Sequence, residues 1–375
     1  MKIKRIGILT SGGDCPGLNA VIESVVKTAN NHGVEVYGFK MGYDGLYKND
    51  YMVLDSKNTD QIARIGGSIL GNSNKTNLFN LISVDEKGNV VKKDVHEIAL
   101  KNLKEDQIDA MVIVGGDGSM TSARDFMRCG VNVVCVPKTI DNDVPSTDQS
   151  FGYSTAVERI HDSLNCLRTT AGSHDRVMIL ETMGRNAGWL ALEGGLSAGA
   201  QCILIPEVDY NIDHIVKWLV ERYNKGEKST IICVSEGIKT ASGAQVAEVN
   251  NKYPDSVKLG GVSLLLAKQI EALLSPITGQ EVRSTNLSYV QRGGDTNTFD
   301  IVLGFKYGAN AVKALLDGHS GKMVSLKGKD IKLVDIIDVV GDGPTGETSK
   351  GGRHVVTEDC DLLRTARAMG IYFGE

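Results

Sequence analysis

Ile6-Gly7-Ile8-Leu9-Thr10-Ser11-Gly12-Gly13-Asp14-Cys15-Pro16-Gly17-Leu18 begins as an apolar run, breaks into glycines and resumes as amphipathic sequence. Ile6–Thr10 reads as a strand, Ser11–Gly17 as a loop and Leu18–Asn30 as a helix. The same alternation continues downstream. Strands are predicted over Val34–Phe39, Ala110–Val114, Val131–Val136, Arg176–Glu181, Cys202–Ile205 and Ile231–Ser235. Helices are predicted over Lys93–Asn102, Ser119–Met127, Thr155–Thr169, Asn186–Ser197, Ile212–Tyr223, Gly261–Leu274 and Thr298–Leu316, the last weakened by Gly304 and Gly308. Near-continuous apolar strands alternating with helices predict an α/β fold: two similar three-layer lobes, each a mostly parallel sheet covered by helices on both faces.

The expected division is a first lobe over 1–148 with a return at about 277–320, and a second lobe over 149–276. A C-terminal extension, 321–375, is hard to place. Met323–Leu326 and Asp335–Val340 have strand-like composition, and Gly341–Gly352 is polar, glycine-rich and expected to be mobile. A weak hairpin is expected near Val53–Lys57, and Asp85–Lys93 is polar.

At 375 residues, 41% of them apolar, the chain can build a large core. Its net charge of -5 and the absence of a basic stripe argue against nucleic acid. No stretch approaches the roughly 20 apolar residues of a membrane span, and the apolar run in MKIKRIGILT is too short for a signal peptide. The seven cysteines form no CxxC pair and read as free thiols in a reducing cytoplasm.

Three loops follow apolar strands directly. In open parallel sheets ligands bind beyond the carboxyl ends of the strands, and a helix beginning there offers unpaired N–H groups to phosphate. Ser11–Gly17 is the first such loop. It has neither the Walker A spacing nor the dinucleotide fingerprint, and a tight turn would also explain it. Gly115-Gly116-Asp117-Gly118-Ser119 is the second. Asp117 suits Mg2+, although Asp117 and Ser119 would serve equally as helix caps. Pro137-Lys138-Thr139-Ile140-Asp141-Asn142-Asp143 is the third. One carboxylate there could take a proton from an attacking hydroxyl while the other holds metal; an Asx-turn cluster is the plainer alternative. Arg176, Arg185, Arg283 and Arg292 lie near strand ends with the planar fork that suits phosphate oxygens, although taken singly each reads as readily as a solvated surface residue. Glu236 directly follows a strand and could accept from sugar hydroxyls, although a surface glutamate is the plainer alternative.

In order, TSGGDCPGLNA, GGDGS, PKTIDND, MGRNAGW, the Ser-Glu of ICVSEG and QRGG resemble the A-type phosphofructokinases of bacteria and eukaryotes over at least residues 4–316. The resemblance implies phosphorylation of fructose 6-phosphate at O1. It gives Asp141 the part of catalytic base, Asp143 that of the second loop aspartate near Mg2+, Thr139 a transition-state contact and Asp117 the Mg2+ ligand. Gly13, Gly116, Gly118, Ser119, Lys75 and Lys138 would line the donor site. Met183, Gly184, Arg185, Glu236, Tyr289 and Arg292 would line the sugar-phosphate site, with Arg185 also counted as catalytic. Arg176 and Arg283 match arginines lent across a subunit interface, which implies a homodimer or homotetramer.

The donor rests on two residues. In this family a glycine after GGD goes with ATP and a second aspartate with pyrophosphate, and Gly118 favours ATP. Lys138 stands where simple ATP-dependent members have glycine and resembles the pyrophosphate users; the combination resembles a mixed-substrate group. Asn74 replaces the usual arginine, with Lys75 beside it, and Ser288-Tyr289 replaces Gly-His before QRGG. Glu23 and Gln201 replace an effector-site arginine and glutamate, so regulation at that site is not expected. The alternatives are a pyrophosphate-dependent enzyme, one acting on another sugar phosphate such as sedoheptulose 7-phosphate, and a non-catalytic regulatory subunit. Lipid and NAD kinases share GGDG but lack the other loops.

Overall fold

The computed structural model describes residues 3–84, 89–239, 257–345 and 353–375, together with 243, 245 and 247–249. Along the chain run β1 (Arg5–Thr10), α1 (Leu18–Asn31), β2 (Glu35–Phe39), α2 (Tyr43–Lys48), β3 (Tyr51–Leu54), β4 (Leu81–Val84), β5 (Val90–Lys93), α3 (His96–Glu105), β6 (Ala110–Gly115), α4 (Asp117–Arg128) and β7 (Val133–Pro137). There follow α5 (Tyr153–His174), β8 (Val177–Thr182), α6 (Trp189–Ser197), β9 (Cys202–Leu204), α7 (Ile212–Asn224), β10 (Thr230–Ser235), β11 (Ala247–Val249), β12 (Val257–Leu259), α8 (Val262–Thr278) and β13 (Val282–Asn286). A 3-10 turn (Ser288–Arg292), α9 (Thr298–Leu316), β14 (Lys322–Lys327), β15 (Asp330–Asp335), α10 (Ile336–Val340) and α11 (Asp361–Ala368) complete the order.

The chain divides into two compact units. The first is Met1–Ile140, Val144–Thr155 and Arg292–Arg353; the second is Asp141–Asp143, Ala156–Gln291 and His354–Glu375.

In the first unit a seven-stranded sheet runs β15-β14-β7-β6-β1-β2-β3. Its five central strands are parallel, and each edge is closed by an antiparallel strand. Side chains alternate between faces along each strand. Leu9, Met111, Ile113, Val133, Cys135 and Met323 therefore share one face, buried with Ala99 and Leu103 of α3, Met120, Ala123 and Phe126 of α4, and Ile336 and Val339 of α10. On the other side α9 packs on β6, β7 and β14 and makes its most extensive contact with α1. The two glycines expected to weaken α9 instead permit this approach. A Cβ at Gly304 would lie 2.9 Å from the Ala20 Cβ, and one at Gly308 2.7 Å from the Val21 carbonyl oxygen.

The second unit has a four-stranded, all-parallel sheet in the order β13-β8-β10-β9. Val177, Ile179, Cys202, Leu204, Ile232, Val234 and Val282 are buried against Ile215 and Leu219 of α7 and Leu266, Ile270 and Leu274 of α8. α6 packs on β9 and β10 from the other face. The mostly parallel α/β architecture is the one expected. Among the described residues no helix is long and apolar enough to cross a membrane.

Three local expectations are corrected. Asp335–Val340 is not a strand: β15 ends at Asp335, and Ile336, Val339 and Val340 fall at helical spacing on one buried face. There is no separate hairpin at Val53–Lys57. β3 pairs antiparallel with β2, and Asp55 Oδ1 then accepts from the N–H groups of Lys57 and Asn58 to close a turn. The helix expected from Lys93 starts at His96, because Val90–Lys93 pairs with β4. Residues 346–352 of the segment expected to be mobile, and 85–88 of the polar stretch, lie outside the described residues. All seven cysteines are free; Cys15, Cys135, Cys202 and Cys233 are buried, whereas Cys129 and Cys166 are exposed.

Candidate active site

Two glycine-rich loops of the first unit, Ser11–Gly17 and Gly115–Ser119, leave neighbouring parallel strands, β1 and β6, and open helices, α1 and α4. The first N–H groups of each helix have no intrahelical backbone partner, and each start carries the positive end of the helix dipole. The third loop leaves β7, the next strand over, and brings Lys138 back to the first. Lys138 is buried, and its ammonium donates to the Gly13 carbonyl oxygen at 2.6 Å. Gly12 donates to the Ser73 carbonyl at 3.0 Å, which draws the Ser73–Lys75 segment beside the same loop. Lys75 is exposed there. Arg292 joins the cluster, donating to the Asp14 carbonyl at 2.9 Å, and a Cβ on Gly13 would lie 3.1 Å from its guanidinium. Arg292, expected on the sugar side, thus also touches the first glycine loop. Cys15, in the middle of that loop, is fully buried. Burial pushes its thiol up to about 12, outweighing the opposing charges of Lys138 and Arg292.

Gly116 is the N-cap of α4 and Asp117 its first residue. Asp117 Oδ1 accepts from the Gly118 N–H at 2.7 Å, and Oδ2 lies 3.8 Å from the Arg353 guanidinium. The Asp117 side chain is 55% exposed. Ser119 is buried, and its carbonyl accepts from the buried Tyr43 hydroxyl at 2.7 Å, which pins the first turn of the helix. Gly118 is exposed, its φ is not positive, and a Cβ added to it would meet nothing within 4 Å among the described residues. Among the described residues no group of three His, Cys, Asp or Glu side chains is arranged to hold a metal. Mg2+ is usually held by one or two carboxylates with phosphate oxygens and waters rather than by a protein cage. One outward carboxylate at a helix start fits that pattern.

Thr139, half-buried, offers its carbonyl to the Ser150 hydroxyl at 2.7 Å. Asp141 and Asp143 are half-buried and flank Asn142, which is buried in the left-handed region at φ 52. Asparagine tolerates that region better than most residues.

In the second unit β8 leads into Met183-Gly184-Arg185, and parallel β10 leads into Glu236 beside it. The two loops are tied together. The Ser235 hydroxyl donates to the Gly184 carbonyl at 2.6 Å, and the Gln245 amide donates to the carbonyls of Arg185 and Gly237 at 3.0 and 2.8 Å. Met183 is buried and its N–H donates to Gln291 Oε1 at 3.2 Å. Gly184 has φ 121, and a Cβ there would lie 2.8 Å from both the Ala187 carbonyl oxygen and the Ser235 hydroxyl. Met183, Gly184, Arg185 and Glu236 are thus brought together. Tyr289 lies in the 3-10 turn after β13 and is 64% exposed.

Arg176 and Arg283 are not part of that group within one chain. They pair with each other's neighbourhood at the opposite end of the sheet, both reaching Glu281, at 2.6 and 3.2 Å. Arg176 immediately precedes β8 and Gly184 follows it, so the strand separates them by about 20 Å. Glu23 and Gln201 have structural work. Glu23 accepts from the Ala63 N–H at 2.9 Å and the Lys27 ammonium at 2.6 Å; Gln201 Oε1 accepts from the Ile231 N–H at 2.8 Å. Two residues near the loops had no sequence signal. Arg353 and His354 sit in Gly-Gly-Arg-His, far along the chain from every motif they approach.

A family model described as Phosphofructokinase matches residues 5–315. ATP-dependent 6-phosphofructokinase 2 of Clostridium perfringens is 47% identical over 375 residues, covering 100% of this chain and 99% of that protein. Pyrophosphate–fructose 6-phosphate 1-phosphotransferase of Amycolatopsis methanolica is 41% identical over 337 residues, 89% of this chain and 94% of that protein. Among solved structures, phosphofructokinase from Pichia pastoris in the T-state matches with a TM-score of 0.75 at 28% identity, covering 90% of this chain and 35% of that one. This chain therefore spans about a third of the yeast chain's length. Pyrophosphate-dependent phosphofructokinase from Nitrosospira multiformis has a TM-score of 0.76 at 19% identity, over 100% and 93% of the two chains, a likeness of fold. With its family match spanning most of the sequence and a full-length relative at 47% identity, the chain belongs to the phosphofructokinase family.

Proposed function

We propose that the chain is an ATP-dependent 6-phosphofructokinase, converting ATP and D-fructose 6-phosphate to ADP and D-fructose 1,6-bisphosphate in cytoplasmic glycolysis. Gly118 carries the choice of donor. It lies in the first turn of α4, has ordinary helical backbone, and among the described residues has nothing where a side chain would project. Glycine is a poor helix former, and among the described residues no packing accounts for it. Space kept open beside a helix N-terminus fits a nucleotide phosphate.

In this reading Asp141 accepts the proton as the sugar O1 attacks the γ-phosphorus and the bond to ADP breaks. Asp143 supports the loop's charge, and Thr139 contacts the transferring group. Asp117 holds Mg2+, which neutralises phosphate charge when bound. Lys138 fixes the first glycine loop through the Gly13 carbonyl, and Gly13, Gly116, Ser119 and Lys75 line the donor side. Met183, Gly184, Arg185, Glu236, Tyr289 and Arg292 bind the sugar phosphate. Arg176 and Arg283 serve a neighbouring subunit's 6-phosphate, which requires a homodimer or homotetramer; their place at the far end of β8 supports that assignment.

A second reading, pyrophosphate as donor, is favoured by Lys138 and by the similarity to the Amycolatopsis methanolica enzyme. A coupled assay with fructose 6-phosphate and Mg2+ separates the two. The expected result is turnover with ATP; turnover with pyrophosphate alone would replace the donor assignment, and none with either would favour a regulatory subunit. A gel-filtration mass of one chain would overturn the shared site.

A further inference from the structure

The Asp141–Asp143 loop is held within the second unit by a residue far along the chain. His354 donates its backbone N–H to the Asp143 carbonyl at 3.1 Å, and its ring Nδ1 lies 2.9 Å from the Asn142 carbonyl. A carbonyl oxygen only accepts, so Nδ1 carries the hydrogen and the ring orientation is fixed. His354 is itself anchored. The Trp189 indole N–H donates to the His354 carbonyl at 2.9 Å, and the two rings stack with centroids 4.7 Å apart. Trp189 is the first residue of α6, an element built into the sheet's packing. Two residues on, the Val356 N–H donates to Glu207 Oε1 at 3.1 Å, and the same carboxylate accepts from the Gly188 N–H at the start of α6, at 2.9 and 3.1 Å. Burial of Glu207 pushes its carboxyl upward, and these backbone donors oppose the shift.

A left-handed, non-glycine residue such as Asn142 persists where its surroundings over-determine it. His354 supplies two of those constraints, on consecutive carbonyls.

We propose that His354 is a positioning residue for Asp141 and Asp143, holding their loop against the rigid start of α6. This rests on the proton-accepting role given to Asp141 above. His354 would touch neither substrate nor donor; it acts through the backbone between the two carboxylates.

The test uses the full chain with ATP, Mg2+ and fructose 6-phosphate, comparing the parent with His354→Ala, His354→Asn and Asp141→Ala. Small misplacement of a reacting group costs up to about a hundredfold, so His354→Ala should lower kcat by about 10- to 100-fold. KM for ATP should stay within about twofold, the signature of lost transition-state geometry rather than lost binding. The asparagine Nδ2 can stand in for the imidazole Nδ1, so His354→Asn should recover kcat to within about threefold of the parent. A kcat for His354→Ala within about twofold of the parent, or an asparagine variant no better than the alanine one, would overturn the proposal. If His354→Ala loses its cooperative melt, His354→Asn decides alone: folded with near-parental kcat supports the clamp, and folded with a deficit beyond about tenfold overturns it. Asp141→Ala separates the two claims. Full turnover in that variant rejects the base assignment, whereas its inactivity alongside an unaffected His354→Ala rejects only the clamp.

Discussion

Gly118 and Gly184 both lie just beyond the ends of parallel strands, the first in the opening turn of α4 and the second in a loop, yet they are glycines for different reasons. At Gly184 the fold demands the residue: φ is 121, and a Cβ would press on the Ala187 carbonyl and the Ser235 hydroxyl. At Gly118 the described residues make no such demand, since the backbone is ordinary and none of them lies within 4 Å of the added atom. The first is glycine because of what is already present in the chain; for the second the proposed reading supplies the reason, a donor phosphate that has to fit beside it. A glycine unexplained by its own chain is therefore a better pointer to a ligand than one in a tight turn.

The contrast has consequences that measurement can break. The largest concerns the reaction that Gly118 is held to serve. Asp141→Ala should lower kcat by about a thousandfold, within the usual range for loss of a general base, with the circular dichroism spectrum unchanged. A variant with parental kcat would remove Asp141 from the chemistry. Next, Gly118→Asp places a charged side chain in the open space. ATP-dependent kcat/KM should fall about a hundredfold, while the melting temperature moves by no more than about 2 °C, because an exposed substitution that touches nothing is close to neutral. A large loss of stability would show that the fold needs this glycine after all. Gly184→Ala should behave in the opposite way, losing about 1–3 kcal/mol in urea unfolding from the strained backbone alone. An unchanged midpoint would erase the distinction.

The smallest effect extends the contrast to aspartates. Asp300 is buried, and its Oδ2 accepts from the Thr155 N–H and hydroxyl at 2.7 and 2.6 Å. Burial raises its carboxyl from 3.8 to about 6, against those hydrogen bonds. The folded chain thus holds this proton more tightly than the unfolded chain. The associated stability is complete below 3.8 and is lost as pH rises through about 6. Asp300→Asn keeps an acceptor without the titration, so thermal melts should show a weaker pH dependence across about pH 4 to 6. A parental slope in the variant would assign that dependence to other groups.

Much of the fold was legible because parallel strands buried on both faces are written as unbroken apolar runs, such as Val133–Val136. The loops beyond them were legible because phosphate chemistry uses few residue types in short order. What escaped depended on distant partners. Gly304 and Gly308 read as helix weakeners because α1, the helix they admit, is far away in sequence. Ile336–Val340 has the apolar content of a strand, and only the end of β15 at Asp335 makes it a helix. The arginines near strand ends did not reveal which end; Arg176 lies at the amino end of β8, the end away from Gly184. His354 carried no local sign, since its work is done on carbonyls that belong to no motif of its own.

The seven-stranded sheet also imposes a timetable on synthesis. β7 ends at Pro137, but β14, its parallel neighbour, begins only at Lys322. At about 5–20 residues per second the ribosome needs roughly 10–40 s to deliver the missing strand. Throughout that interval the nascent chain carries β7, Val-Val-Cys-Val-Pro, with an unsatisfied flank, the kind of edge that recruits other chains. All four strands of the second unit's sheet, by contrast, emerge within that same interval. The domain begun first is the one whose sheet is finished last.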